Sequence, residues 1–192
     1  MRHGAGVIDV TDLVGRIATT ESISGVWQLA TNYYRPLGFS RVNYGLTRFR
    51  HDMSIGDPDD ALFLTTQSDE YAQLYFRSGF YERTPIYRWI LRNTGLTTWR
   101  WVHDAYADGR LPPDEAEALR VNARYGIFAG IAISFPETRV RTKGALGLAA
   151  DPGLDHDDVD AVLAREGPGM LAVAHMTHLK IATLPTRYAR RG

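Results

Sequence analysis

The sequence has no cysteine among its 192 residues, which excludes a disulfide framework, thiolate metal ligands and a cysteine nucleophile. It also has no excess of charge of either sign, because 22 Lys and Arg balance 22 Asp and Glu. Zero net charge provides no overall field to attract nucleic acid or an anionic membrane surface. There is no run of about 18 apolar residues that could span a bilayer, and no signal-peptide-like N-terminus. We therefore predict one soluble, cytoplasmic domain without direct nucleic-acid or membrane contacts.

The motifs of common enzyme classes are also missing. No nucleophile elbow, phosphate loop or dinucleotide-binding fingerprint is present. The polar groupings that could bind a metal or activate a substrate are His51–Asp52, His103–Asp104, His156–Asp160 and the pair His175 and His178. Acidic residues at 157–160 are more simply explained as the capped start of a helix, and the histidine pair lacks a third ligand. We predict no enzyme, no cofactor and no metal site; the alternative is an enzyme that uses His103 or His156.

Hydrophobic periodicity predicts an irregular alternation of helices and strands. Helices are predicted at about residues 10–17, 22–35, 68–78, 85–92, 112–124 and 155–179. Strands are predicted at about residues 39–49, 61–65, 97–102, 129–135 and 144–150. The segment Gly167-Pro168-Gly169 should kink or break the last helix, because proline removes a hydrogen-bond donor and clashes with the preceding turn. The pattern favours an α+β fold with an antiparallel sheet of about five strands covered by helices.

Aromatic residues are concentrated in the middle of the chain. Ten of the 21 (7 Phe, 4 Trp and 10 Tyr in all) lie between Tyr71 and Tyr106. Such a cluster can be ordinary core, because aromatic side chains bury large areas. Tyr and Trp also carry polar tips that need partners, so the same cluster is typical of a small-molecule cavity with apolar walls and a few hydrogen-bonding groups.

The segment Tyr71 to Pro85 (YAQLYFRSGFYERTP) resembles the ligand-binding domain of LuxR-type quorum-sensing receptors. The resemblance lies in an aromatic residue, a tyrosine four positions later, and a polar residue followed by proline. Further matches, in the family's order, are Trp27, Tyr34, Gly38-Phe39, 42–46, Trp99, 126–131 (GIFAGI), Pro136 and 144–148 (GALGL). The resemblance extends from about Trp27 to Leu184 and depends on the order and spacing of these matches rather than on any one of them.

Membership of this family would imply an α–β–α sandwich, in which a five-stranded antiparallel sheet carries helices on both faces. It would also imply that an acyl-homoserine lactone binds between the sheet and one helix layer. On this basis we expect the ligand pocket to be lined by Tyr71, Tyr75, Thr84, Tyr87, Trp99 and Gly147.

Several positions depart from the family pattern. Thr84 stands where the family has the aspartate that accepts the ligand's amide N–H, and Tyr71 stands in place of a tryptophan. Gln67 replaces a frequent pocket tyrosine, and Gly147 replaces a hydroxyl residue found in some members. A hydrogen bond to a carboxylate contributes about 1.5–3 kcal/mol and a neutral one about 0.5–1.5 kcal/mol. We therefore expect altered or lost lactone specificity: the ligand is a small hydrophobic signal, either an acyl-homoserine lactone or an analogue, or there is none.

Full receptors of this family carry a further C-terminal helix-turn-helix domain, whereas this sequence ends at Gly192. We expect a single ligand-binding domain over residues 1–184 and a basic tail or the start of a linker over 185–192. Two interpretations stay open. The chain is the sensing part of a transcription factor, or it is a naturally short regulator that pairs with a full-length receptor and blocks its access to two DNA half-sites. We expect a homodimer or such a heterodimer.

Overall fold

The computed structural model describes residues 9–48, 50, 54–136 and 141–185. Within these residues the chain forms five β-strands and seven α-helices. The strands are β1 (Arg41–Thr47), β2 (Leu62–Thr65), β3 (Gly95–Thr98), β4 (Gly130–Ser134) and β5 (Lys143–Ala149). The helices are α1 (Val10–Thr19), α2 (Ile23–Tyr34), α3 (Asp69–Ala72), α4 (Pro85–Arg92), α5 (Arg100–Ala107), α6 (Pro113–Arg124) and α7 (His156–Thr183). The predicted α+β class and number of strands are confirmed.

The five strands form one antiparallel sheet in the order β2-β1-β5-β4-β3. β1 and β2 are neighbours in the chain and in the sheet, with Tyr44 opposite Leu64. β5 lies in the centre, where it pairs with β1 on one side and with β4 on the other. The last strand along the chain therefore joins the two halves of the sheet.

The two faces of the sheet carry side chains of very different size, because successive residues of a strand point to opposite faces. One face presents large apolar side chains, among them Val42, Ile131, Ile133, Leu146 and Leu148, and packs against α1, α2 and α7 in the main core. The opposite face presents Gly45, Ala132, Ala145, Gly147 and Ala149, which are small. Small residues on this face leave space between the sheet and the second helix layer, α3 to α6.

The helix layer against the large-residue face is fixed by caps and by buried contacts. Asp9 caps α1, and Ser22 caps α2, each accepting backbone N–H groups that have no partner inside the helix. The buried Tyr34 hydroxyl donates to the carbonyl oxygen of Met170 at 3.0 Å, which ties α2 to α7. With helices on both faces of the sheet, the molecule is the α–β–α sandwich that the resemblance implied.

The predicted break at Gly167-Pro168-Gly169 is wrong, because α7 continues through these residues to Thr183. Pro168 and Ala164, whose carbonyl loses its helical donor, are both exposed, so water can solvate that carbonyl. Gly169 faces inward, and a Cβ there would lie 2.8 Å from the Tyr33 hydroxyl and 3.0 Å from Val10. Gly169 thus permits a close approach of helices at this point, and the helix does not break. The C-terminal half of α7 is largely core, since Met170, Val173, Ala174, Thr177 and His178 are buried.

The predicted strand at 97–102 is correct only for its first two residues. β3 ends at Thr98, Trp99 occupies the N-cap position of the next helix, and α5 begins at Arg100. The Trp99 backbone N–H still donates to the carbonyl oxygen of Gly130 at 2.9 Å, after which β4 offers no further partner residue. The sequence pattern of β-branched and aromatic residues favoured a strand, but the length of the neighbouring strand decides where the pairing ends.

Among the described residues, no helix is both long enough and apolar enough to cross a membrane. The domain limits at 184 and 185 stay predictions, and residues 186–192 of the predicted tail lie outside the described residues.

Candidate functional site

A cavity of about 140 Å³ lies between the small-residue face of the sheet and the layer formed by α3 to α6. Its volume is close to that of an engineered apolar cavity of about 150 Å³ that takes up benzene. All six residues predicted from the sequence line this cavity: Tyr71, Tyr75, Thr84, Tyr87, Trp99 and Gly147. Residues that are up to 76 positions apart in the chain are therefore brought to one cavity.

The wall of the cavity opposite the sheet is aromatic. Tyr71 and Tyr75 stack with ring centroids 5.3 Å apart, and Tyr75 meets the edge of Phe76 at 5.0 Å. These rings sit where α3 passes into a π-helical turn (Gln73–Arg77), rather than in the single regular helix predicted from Ser68. Ser68 does cap this segment, and Gly79 ends it in the left-handed conformation with φ of 68°, as predicted. A π turn inside a helix is frequent at functional sites.

Burial keeps the tyrosines of this wall neutral. Loss of solvent raises the pKa of Tyr75 to about 12, an effect that the neighbouring Thr84 hydroxyl opposes. Burial also raises the pKa of Tyr87 to about 12, although its hydroxyl accepts a hydrogen bond from the Ile55 backbone N–H at 3.3 Å. The wall therefore offers neutral phenol groups, which suit an uncharged ligand.

The hydroxyl of Thr84 is used by the fold. Thr84 is 4% exposed and is the N-cap of α4, with Pro85 in the first helical position. Its Oγ1 donates to the carbonyl oxygen of Tyr81 at 2.7 Å and accepts the backbone N–H of Tyr87 at 3.2 Å. A side chain that caps a helix in this way has little capacity left for a ligand.

Tyr71 is also engaged with the protein. It is 2% exposed, and its hydroxyl donates to Asn122 Oδ1 on α6 at 2.9 Å. Burial raises the pKa of Tyr71 far above its usual value, so the phenol keeps its proton. The hydrogen bond fixes α3 against α6 and closes the cavity on that side.

Two residues that line the cavity each have a buried N–H donor without a hydrogen-bond partner among the described residues. The donors are Nε1 of Trp99 and Nε2 of Gln67. The Trp99 ring is fixed against the sheet, since a Cβ at Gly130 would lie 2.8 Å from its Cζ3 atom. A buried donor without an acceptor costs about 1–3 kcal/mol.

Sequence reasoning missed the contribution of α6 and, apart from Gly147, that of the sheet floor. Leu119 and Asn122, three positions apart and thus on one helix face, both line the cavity, as do Asn43 and Phe63 of the sheet. The signal for Asn43 was a polar residue at the centre of an otherwise apolar strand pair. No signal marked Asn122, because it is an ordinary polar residue on an amphipathic helix.

The other polar groupings have structural roles in the described residues. Asp155 and Asp158 form a capping box at the start of α7, and Arg100 forms ion pairs of 2.6 Å with both Asp157 and Asp160. Within the parts of the chain that the structure describes, no group of three or more His, Asp or Glu residues could hold a metal ion. His103 donates from Nε2 to the Phe128 carbonyl oxygen at 2.8 Å. The pair His51–Asp52 lies outside the described residues.

An antiparallel sheet between two helix layers, with an apolar cavity beneath one of them, is the architecture of a small-molecule-binding domain. Residues 22–181 match the family model described as the autoinducer binding domain. The chain therefore belongs to the autoinducer binding domain family of LuxR-type regulators, whose members are ligand-sensing regulatory domains. No curated protein sequence matches the chain significantly.

Solved structures of this family share the fold at low sequence identity. The LuxR family transcription factor CepR2 from Burkholderia cenocepacia is 18% identical, with a TM-score of 0.65 over 90% of this chain and 93% of that chain. SdiA from Escherichia coli is 12% identical, with a TM-score of 0.66 over 95% of this chain and 70% of that chain. SdiA in complex with octanoyl-rac-glycerol is 13% identical, with a TM-score of 0.59 over 100% of this chain and 72% of that chain.

Proposed function

We propose that this chain is the small-molecule-sensing domain of a LuxR-type transcriptional regulator and that its specificity for acyl-homoserine lactones is altered. The observation that carries the proposal is the use of the Thr84 hydroxyl as a helix cap inside the cavity. The resemblance to the family implies an aspartate here, as acceptor for the ligand's amide N–H. The hydroxyl of Thr84 instead satisfies the protein's own backbone.

The apolar cavity supports a ligand-binding role in preference to a purely structural one. Its wall combines buried aromatic rings with a few polar groups, which is typical of sites for small apolar molecules. Two neighbours of the same fold are described with ligands whose polar ends differ. CepR2 is described as N-acylhomoserine lactone dependent, and SdiA has been solved with octanoyl-rac-glycerol. Variation of the polar end within this fold supports a changed head-group preference here.

The substitution Thr84→Asp tests the proposal. Aspartate is as good an N-cap as threonine, so one carboxylate oxygen can accept the Tyr87 N–H while the other faces the ligand. We expect N-octanoyl-homoserine lactone to bind the wild-type chain weakly and the variant at least about tenfold more tightly. A charge-assisted hydrogen bond exceeds a neutral one by roughly 1–1.5 kcal/mol, and 1.4 kcal/mol corresponds to tenfold. Isothermal titration calorimetry measures both affinities.

Thr84→Ser is the matched control, because it keeps the capping hydroxyl and adds no carboxylate. It should bind the lactone as weakly as the wild type does. Tight binding of the lactone to the wild-type chain would contradict the altered specificity. A wild-type chain and a T84D variant that are both folded and take up no small molecule would instead favour the ligand-independent partner of a full-length receptor.

A further inference from the structure

Helix α6 covers part of the cavity but is held by little apolar packing. It contributes Leu119 and Asn122 to the cavity wall. Of its 12 residues only Glu115 and Ala118 are buried, whereas α2, which has the same length, buries five. Most of the stability of a helix in a protein comes from packing of its apolar face. A helix that buries one alanine and one carboxylate therefore separates from its neighbours more easily than the other elements do.

Polar contacts anchor the C-terminal end of α6. The Tyr71 hydroxyl donates to Asn122 Oδ1 at 2.9 Å. Just beyond the last turn, the Tyr125 hydroxyl donates to Glu70 Oε1 at 2.9 Å, and the Arg41 guanidinium donates to the carbonyl oxygen of Tyr125 at 3.1 Å. Contacts with both α3 and the sheet thus fix this end of the helix.

The N-terminal half of α6 has a single ion pair with another element among the described residues. Nη2 of Arg88, on α4, lies 3.0 Å from Oε2 of Glu115; the side chains are 41% and 8% exposed. Desolvation raises the pKa of Glu115 and the charge of Arg88 opposes this rise, so the cation offsets part of the cost of burying the carboxylate. Further along, Arg120 meets Tyr106 of α5, where both side chains are exposed.

We propose that α6 is a lid over the ligand cavity, which pivots at its anchored C-terminal end and is held closed by the ion pair between Arg88 and Glu115. This inference rests on the proposed sensing function and names the route by which a ligand reaches its site. Glu115 and Asn122 are seven positions apart, about 10 Å along a helix, so a swing about the anchored end lifts Leu119 off the cavity and moves Glu115 further still. Gly109, with φ of 67°, joins α6 to α5 and can absorb the change of backbone angles that the swing requires.

Thiol labelling measures how often the cavity opens, because the chain has no cysteine of its own. Val102 lines the cavity and is 2% exposed, so the thiol of a Val102→Cys variant should react with N-ethylmaleimide, a small neutral reagent, when the lid opens. Ala149→Cys, also buried at the cavity, is a second probe. Val173→Cys is the matched control, because Val173 is buried in the main core and its thiol reports unfolding of the whole domain. Mass spectrometry of the full chain follows each rate.

Removal of the cation should open the lid. Arg88→Gln leaves the Glu115 carboxylate buried without its partner, so the labelling rate of Val102→Cys should rise at least about tenfold. The rate of Val173→Cys should change by less than about twofold. Addition of Glu115→Gln removes the unpaired carboxylate and should bring the rate at Val102→Cys back to within about threefold of its original value. Arg92→Gln, at an exposed position one turn further along α4, should change neither rate.

The competing entrance is at Phe128, an exposed residue of the cavity wall in the loop between α6 and β4. Phe128→Ala should accelerate the labelling of Val102→Cys less than Arg88→Gln does. A larger effect of Phe128→Ala, or no effect of Arg88→Gln, would overturn the lid. A parallel rise at Val173→Cys would do the same, since Arg88 would then stabilise the whole fold. Each of these results leaves the sensing function standing, because that function is tested by ligand binding in calorimetry and not by the route of entry.

Discussion

At the scale of single residues, burial separates two histidines that are three positions apart in α7. His178 is 3% exposed, stacks on Phe135 with ring centroids 4.2 Å apart, and shares a 2.9 Å hydrogen bond between its Nδ1 and the Tyr44 hydroxyl. His175 is only partly buried and meets the edge of the same Phe135 ring. The spacing that could suggest a metal site thus places one imidazole in the core, on the face of the sheet away from the cavity.

Burial of His178 predicts acid sensitivity. Desolvation, aided by the nearby His175, lowers the pKa of His178 to about 4 from an ordinary 6.5. The unfolded chain therefore binds the proton first, and stability falls as pH decreases from about 6.5 to 4. The loss approaches about 3 kcal/mol, at 1.36 kcal/mol per pKa unit.

Replacement of this imidazole isolates its contribution to the acid sensitivity. His178→Gln cannot titrate, so the free energy of unfolding of the wild type minus that of the variant should shrink by about 3 kcal/mol between pH 7 and pH 4. Urea unfolding at a series of pH values measures this difference. Parallel pH profiles for the two proteins would show that His178 is not responsible.

Single residues also show where sequence reasoning about the site stopped. The types and spacing of Tyr71, Tyr75 and Thr84 were sufficient to place them together, since the resemblance covers a continuous segment. What Thr84 does with its hydroxyl could not be predicted, because the capping geometry depends on where the preceding turn ends at Tyr81. The unpartnered state of Trp99 Nε1 was equally invisible, because it is a property of every group around the indole.

At the scale of elements, the two glycines that flank Pro168 have different surroundings in α7. A Cβ on Gly167 would meet Leu163 at 3.9 Å, an ordinary contact. A Cβ on Gly169 would lie 2.8 Å from the buried Tyr33 hydroxyl and 3.0 Å from Val10, closer than packed atoms allow. Gly167 therefore makes only an ordinary contact within α7, whereas Gly169 allows α7 to pack closely against α1 and α2.

This difference predicts opposite effects of the same substitution. Gly167→Ala should stabilise the protein by about 0.5–1 kcal/mol, since alanine loses less backbone entropy in a helix. Gly169→Ala should destabilise it by about 1–3 kcal/mol, the usual cost of overpacking. Thermal unfolding of the two variants measures both effects. A stabilising Gly169→Ala would mean that α1 and α2 do not pack closely on α7.

Most elements could be predicted because local patterns and tertiary structure agree in them. α6 has proline at its start, acids in its first turn and a left-handed Gly126 beyond its end, and it forms as predicted. The predicted and observed elements differ where contacts with residues distant in the sequence determine the local structure. Trp99 leaves the strand because its neighbour β4 begins only at Gly130. α7 passes Pro168 because burial of Val159 before it and of Met170 after it holds the helix on both sides.

At the scale of the whole molecule, the cavity lies in the interior of the fold, so its occupation should stabilise the entire domain. A ligand at 100 times its Kd adds about 2.7 kcal/mol to the free energy of unfolding. For a domain of this size, an increase of 1 kcal/mol in the free energy of unfolding raises the unfolding temperature by about 2–4 °C. The expected rise is therefore roughly 5–10 °C. Differential scanning fluorimetry measures this rise, with the compound that binds the chain most tightly in calorimetry as the ligand.

Gly147→Val is the control for occupation of the cavity. A Cβ at this position would lie 4.0 Å from the nearest atoms, those of Asn43, so valine can enter the cavity floor without a clash at its Cβ. The variant should fold, and the ligand should no longer raise its unfolding temperature. A full thermal shift in this variant would place the ligand elsewhere.

The central position of β5 also determines when the cavity can exist. β1 ends at Thr47 and β5 begins at Lys143, so about 95 residues separate the two strands that meet in the middle of the sheet. A ribosome adds about 5–20 residues per second, and this interval therefore lasts roughly 5–20 s. In the later part of this interval, once Tyr87 has been added, the aromatic wall is already synthesised while the floor that holds Gly147 is missing. The nascent chain exposes these rings until β5 arrives, and a ligand present during synthesis meets the wall before the cavity closes.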